Sequence, residues 1–281
     1  MKGTPRRIEK IIEPQSVVEG AGVKLRRSIA TPTLDYLDPF LLLDHFASKN
    51  PADYQAGFPL HPHRGIETVT YLLSGVVHHR DTLGNSGAIN AGDIQWMTAG
   101  RGIMHEEMPQ VRPEGVAGFQ LWVNLPAKLK MTEPQYQNIA ANEIPEISRE
   151  GSAKIRVIAG TVDGVSGPVT GIAADPVYLD VFVSAHASFI QPISQGHAAF
   201  AYVFEGEAKF AAQDVSHPRL VVLDDGDFVE VKTADSPVRF LLVSGKPLRE
   251  PIARYGPFVM NTKAEIEQTL RELQQGTFAK M

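Results

Sequence analysis

Two short stretches carry side chains that could do chemistry. HPHRGIETVTYLLSG begins at His61 and places His61 and His63 on either side of Pro62. GDIQWMTAGRGIMHEEMP begins at Gly92 and carries His105 and Glu107. In a β-strand, side chains at i and i+2 point to one face. Each pair therefore shares a face, and Glu106 points away. Two strands that each offer a same-face pair can converge on one ion inside a barrel. Three imidazoles and a carboxylate suit Fe, Mn, Ni, Cu or Zn. On an octahedral ion these four ligands leave two positions open, as substrate and dioxygen would need. Gly100 and Gly102 in GRG allow the tight turn that brings the second pair close to the first. The His-x-His pattern alone is weak, since roughly 0.3 such pairs are expected by chance at this histidine content. Taken alone, it would also fit surface loop residues around Pro62.

Composition narrows the chemistry. The 281 residues include no cysteine, which excludes disulfides, thiolate zinc sites and cysteine nucleophiles. Any metal must be held by nitrogen and oxygen. A net charge of -5 gives no electrostatic footprint for nucleic acid, and the basic pairs Arg6-Arg7 and Arg26-Arg27 are too short for a polybasic segment. The N-terminal MKGTPRRIEKIIEPQ lacks an apolar core and a small-residue cleavage site. FLLL at Phe40 is strand-sized rather than membrane-sized. The expectation is a soluble, cytoplasmic protein.

These residues must be positioned by β-structure. Glycine and proline punctuate runs such as ETVTYLL, GFQLWVNL, VYLDVFVSA and VRFLLVSG, the pattern of an all-β sandwich or barrel. One helix is expected near the end, in KAEIEQTLRELQQG, with Ile266, Leu270 and Leu273 at helical spacing. Thr262 and Glu265 form its capping box, and Gly276 is its stop. The chain also repeats. A strand ending at Gly75 and a Gly-Asp turn at Gly92 recur at Gly206 and Gly226, at offsets of 131 and 134. Two related barrels in tandem follow, with a boundary in the polar stretch between Glu133 and Ser152. These offsets carry His61 and His63 onto Pro192 and Ser194, and His105 and Glu107 onto Arg239 and Leu241. The second copy thus repeats the scaffold without the ligands.

The segments DPFLLLD, GFPLHPHRGIETVTYLLSG, GDIQWMTAGRGIMHEEMP, FQLWVNLP, EPQYQ, PLREPI and YGPFVMNT, spread from about residue 23 to residue 262, resemble the pirin family. Pirins are bicupins of the cupin superfamily. The resemblance implies two tandem cupin-type jelly-roll barrels. Residues 1–135 would form the metal-binding barrel, 150–262 a barrel without ligands, and 263–281 the C-terminal helix and tail. It implies a monomer with one Fe(II), held by His61, His63, His105 and Glu107. The general cupin pattern would instead nominate Glu67, which has the same parity as His61 and His63. The pirin pattern prefers Glu107 and leaves Glu67 as support behind the ligands. His45 and Leu60 stand where acidic residues are expected and would alter the mouth of the site. The implied activity is quercetin 2,3-dioxygenation, in which dioxygen opens the flavonol ring and carbon monoxide leaves. Glu107 would take the 3-hydroxyl proton, and Phe58, Gln120 and Trp122 would line the pocket. The family also implies an alternative, a redox-sensing regulator that binds a protein partner.

Overall fold

The computed structural model describes residues 3–279. The outermost two residues at each end, where the expected boundaries at 1 and 281 fall, lie outside the described residues. The fold is all-β with one helix, α1 (Lys263–Gln274). Thr262 caps α1 in a full capping box with Glu265, as its sequence requires. Gly276 follows in the left-handed region at φ +66° and stops the helix. Among the described residues no helix is long and apolar enough to cross a membrane.

The chain folds as two compact units that are not the contiguous segments 1–135, 150–262 and 263–281. One unit gathers Gln15–Tyr36, Phe40–Ala141 and the chain from Leu248 onward. The other gathers the chain up to Pro14, Leu37–Pro39 and Asn142–Pro247. Strand pairing and burial explain the exchange of ends. Ile8–Ile12 pairs antiparallel with Arg219–Leu223, so the N-terminal strand belongs to the later unit. Behind it, the buried Arg6 guanidinium donates to the carbonyls of Ser194, His197, Asp224 and Gly226. The C-terminal segment joins the earlier unit, where Ile266 and Phe278 cluster with Phe258 and Met260. The division between Ala141 and Asn142 falls inside the polar stretch expected to hold the boundary.

Two sheets build the barrel of the unit carrying the histidines, beside the small hairpin of Ala253–Tyr255 and Phe258–Met260. The larger runs Gln135–Ile139, Ile94–Thr98, Ile66–Ser74, Val116–Asn124, Phe40–Ser48, Val23–Ile29, Gln15–Glu19. The smaller runs Phe58–His63, Ile103–Pro109, Val76–Asp81, Ser86–Asn90. Apolar residues such as Leu72, Val77, Ile89 and Val116 fill part of the interior.

The other unit repeats this pairing. Ile66–Ser74 lies between Val116–Asn124 and Ile94–Thr98, as Ala198–Phe210 lies between Val238–Gly245 and Arg219–Leu223. Gly75 and Gly206 occupy the same place in the two copies, both at positive φ and each backed against the start of its neighbouring strand. The second offset, however, is one strand out of step. Gly92-Asp93 opens Ile94–Thr98, whereas Gly226-Asp227 opens Phe228–Lys232, the counterpart of Ile103–Pro109. The true counterparts of His105 and Glu107 therefore lie in Phe228–Lys232, not at Arg239 and Leu241. The buried residues of that strand are Val229 and Val231, and they join a solid core with Phe189, Phe210 and Phe240. One barrel is packed solid where the other is polar.

Candidate metal centre

Phe58–His63 and Ile103–Pro109 are adjacent antiparallel strands, with His61 directly opposite His105. Gly100 and Gly102, at φ +50° and +138°, make the turn that leads into the second strand. A side chain at Gly100 would collide with the Thr132 carbonyl, so this turn needs glycine. The three imidazoles converge. Ring centroids are 4.4 Å apart for His61 and His105, 4.9 Å for His61 and His63, and 5.1 Å for His63 and His105. One nitrogen from each ring lies within 4.8 Å of the others, and among the described residues this is the one cluster of its kind.

Hydrogen bonding fits these rings to a cation. His61 Nδ1 lies 2.9 Å from the Pro59 carbonyl, which can only accept, so Nδ1 carries the proton and Nε2 the lone pair. His61 Nε2 is 3.0 Å from His63 Nε2. Nitrogens about 2.1 Å from an ion and at right angles to one another lie about 3.0 Å apart. Both ring nitrogens of His105 are buried without a hydrogen-bond partner, whereas the Pro257 backbone faces His63. Orphaned buried polar atoms are costly, and a cation would satisfy those aimed at the centre. Burial, reinforced by the neighbouring imidazoles, pushes His63 and His105 well below the ordinary histidine pKa. They are neutral, the form that ligates metals. The cluster can hold a metal ion.

Glu107 stands beside the triad rather than within it. It shares the His105 face and is 8 % exposed. Its Oε1 lies 2.9 Å from the Thr70 hydroxyl, which in turn is 2.8 Å from Gln120 Oε1. Burial raises the Glu107 pKa, and His61 and Thr70 offset part of the rise. A bulge between His105 and Glu107 sets Glu107 opposite Phe58. Strict alternation would turn Phe58 away from the His61 face, and the bulge between Phe58 and His61 returns it.

His61, His63 and Glu107 border a cavity of about 530 Å³. Phe58, Gln120 and Trp122 line it. The Trp122 and His63 rings are nearly perpendicular, with centroids 5.2 Å apart. Glu67 is not among its lining residues. It pairs with Thr98 and Val123, an odd step from cavity-lining Thr70, and so occupies the opposite face of the sheet. The parity argument fails because Arg64 and Gly65 break the strand, with Gly65 at φ +78°. Glu67 accepts from Thr98 Oγ1 at 3.1 Å, and burial pushes its pKa up to about 7.

His45 and Leu60 do not line the cavity either. His45 is on the face opposite Asp44, stacked 4.7 Å from Phe119, and Leu60 is 50 % exposed. Sequence reasoning missed Thr70, the Arg27–Asp44 pair and Arg254. Alternating threonines in ETVTY are a usable signal for Thr70, because a polar residue on an inward face needs a polar neighbour. Arg254 gave no signal, because it arrives from far along the chain.

The Pirin family model matches residues 22–123, and the Pirin C-terminal cupin domain model matches residues 178–279. A pirin-like protein of Caulobacter vibrioides is 43% identical over 97% of this chain and 99% of its own. Human pirin is 43% identical over 95% of this chain and 92% of its own. The crystal structure of a quercetin 2,3-dioxygenase from Acinetobacter baumannii is 34% identical with a TM-score of 0.89, covering 99% of both chains. Likeness of this extent spans both barrels, the filled one and the one holding the histidine triad, and on that ground the chain belongs to the pirin family of two-barrel cupins.

Proposed function

We propose that the chain is a mononuclear iron enzyme of the quercetin 2,3-dioxygenase type, with Fe(II) held by His61, His63, His105 and Glu107. One observation carries the reading. Three imidazoles converge, two of them deeply buried and neutral, and the cluster opens through His61 and His63 onto a 530 Å³ cavity beside the Glu107 carboxylate. That volume lies in the range of about 300–1,000 Å³ common for small-molecule pockets. The similar Acinetobacter protein described as a quercetin 2,3-dioxygenase supports the substrate class.

When bound, the metal supplies Lewis acidity and a redox couple at the cavity wall. The side chains do the rest. Phe58 and Trp122 flank the slot, exclude water and orient a flat ring. Glu107 is a base whose ionised form is penalised by burial, so it is ready to take the flavonol 3-hydroxyl proton. Thr70 and Gln120 serve both protonation states. While Glu107 is ionised, Thr70 donates to it and the Gln120 amide turns its N–H toward Thr70. Once Glu107 is protonated, it donates to Thr70, which donates to Gln120 Oε1. The deprotonated ring is then electron-rich enough to react with dioxygen, opening and losing carbon monoxide.

The test is oxygen uptake by metal-reconstituted protein given quercetin, with carbon monoxide measured in the headspace. Steady uptake with matching release is expected. Binding without turnover, together with a redox-dependent protein partner, would replace the enzyme by the regulatory alternative.

A further inference from the structure

We propose that Arg254 sets ligand specificity, selecting planar aromatic molecules that carry an acidic group beside Trp122. The inference deepens the reading above and rests on it for the aromatic scaffold. It begins with the charges on the cavity wall. Two arginines line it, Arg27 and Arg254. All three nitrogens of Arg27 are engaged: its Nε and Nη2 hold both oxygens of Asp44 at 2.8 and 2.7 Å, and its Nη1 holds Glu19 at 2.7 Å. Those two carboxylates are hydrogen-bonded to Arg27 and, with Asp35, act on Arg254 only through space. Arg254 makes no ion pair among the described residues, and its one hydrogen bond is from Nη1 to the Leu41 carbonyl at 3.2 Å. A guanidinium has five N–H donors, so most of its fork is unspent beside a void.

Stacking separates Arg254 from an ordinary solvated rim residue. Its Cζ lies 5.2 Å from the centroid of Trp122, the ring that also meets His63. A guanidinium on an indole face is held in orientation and partly stripped of water. Burial indeed draws its pKa down. Arg254 is also carried on a fixed arm. It lies in the hairpin formed by Ala253–Tyr255 and Phe258–Met260, whose turn residues Gly256 and Pro257 line the same cavity. That arm is tied to the strand end beside His63, through Val259 N–H to the Arg64 carbonyl at 3.0 Å and Lys130 Nζ to the Val259 carbonyl at 2.8 Å. A flat ligand with one edge at the histidines and its plane along Trp122 brings its far substituent to Arg254. A carboxylate or phenolate there gains a charge-assisted fork.

The experiment measures dissociation constants for 2-naphthoate and its neutral isostere 2-naphthamide, with 3-hydroxyflavone as a third probe. Wild type, Arg254→Gln and Arg254→Lys are compared, each as purified and after chelation. Wild type should favour naphthoate over naphthamide by about 10-fold. In Arg254→Gln the ratio should fall to near one, and Arg254→Lys, which keeps charge but not the planar fork, should retain part of it. An equal preference in wild type and Arg254→Gln, or no binding of naphthoate by wild type, overturns the assignment. If wild type ignores 3-hydroxyflavone but keeps the Arg254-dependent naphthoate preference, the flavonol reading fails and the assignment of Arg254 stands.

Discussion

Lys130 offers a quantitative test of how the C-terminal segment is fastened beside the histidines. Its side chain is 1 % exposed overall. The ammonium donates to the Gly65 carbonyl at 2.9 Å, Asn124 Oδ1 at 2.8 Å and the Val259 carbonyl at 2.8 Å. Replacing it by methionine keeps much of the volume and deprives three buried acceptors of their shortest donor, the Gly65 carbonyl keeping only the Leu125 N–H at 3.4 Å. At about 1–3 kcal/mol each, the gross loss is about 3–9 kcal/mol. Burial lowers the Lys130 pKa from 10.5 to about 8. At 1.36 kcal/mol per pK unit, that desolvation cost of about 3 kcal/mol is no longer incurred in the variant. The net destabilisation at pH 7 is therefore about 3 kcal/mol. The pH dependence is more discriminating than the magnitude. The folded protein releases this proton near pH 8 and the unfolded chain near 10.5, so between those values the unfolded state binds more protons. Wild-type stability should therefore rise with pH in that window, by up to about 3 kcal/mol relative to Lys130→Met, and run parallel to it below pH 8. Urea unfolding at several pH values, read as the difference between the two proteins, measures this directly. A difference that stays constant from pH 7.5 to 10 would refute the buried ammonium.

At matched metal content, Glu107→Gln should lower quercetin turnover by about 100-fold or more, the loss of a general base, and Glu67→Gln by less than about 10-fold; the reverse ranking would overturn the choice of Glu107. Because burial holds the Glu67 pKa at about 7, above its ordinary 4.5, the unfolded chain ionises first and stability should fall as pH rises between those values. Glu67→Gln should lack that fall, and parallel unfolding curves for the two proteins would sink the assignment. Wild type should retain one metal per chain, and His61→Ala or His105→Ala should lose it while circular dichroism keeps the β signature. Two equivalents surviving mild chelation, or unfolding of either variant, would show that the histidines do something else.

Much of this protein was written in short-range pattern. Alternation and turn residues specified strands, and the Thr262–Glu265 box specified the one helix, because both depend on neighbours a few residues away. Same-face spacing put His61 with His63 and His105 with Glu107, since each pair lies within one strand, and the pairing of the two strands brought the three imidazoles together. The same rule misjudged Glu67, because parity holds only while a strand continues and Gly65 ends it. It would also have turned Phe58 away, had the bulge between Phe58 and His61 not intervened. The repeat was real, but two Gly-Asp turns are too common a signal to fix which strands correspond. What tertiary structure alone decided is long-range. The ends of the chain trade units because Ile8–Ile12 finds its edge partner at Arg219–Leu223 and Arg64 meets Glu272 at 2.7 Å. That exchange lays Arg254 over Trp122. Pairings across such separations depend on which edges and apolar faces remain uncovered once the barrels close, and no local window of sequence records that.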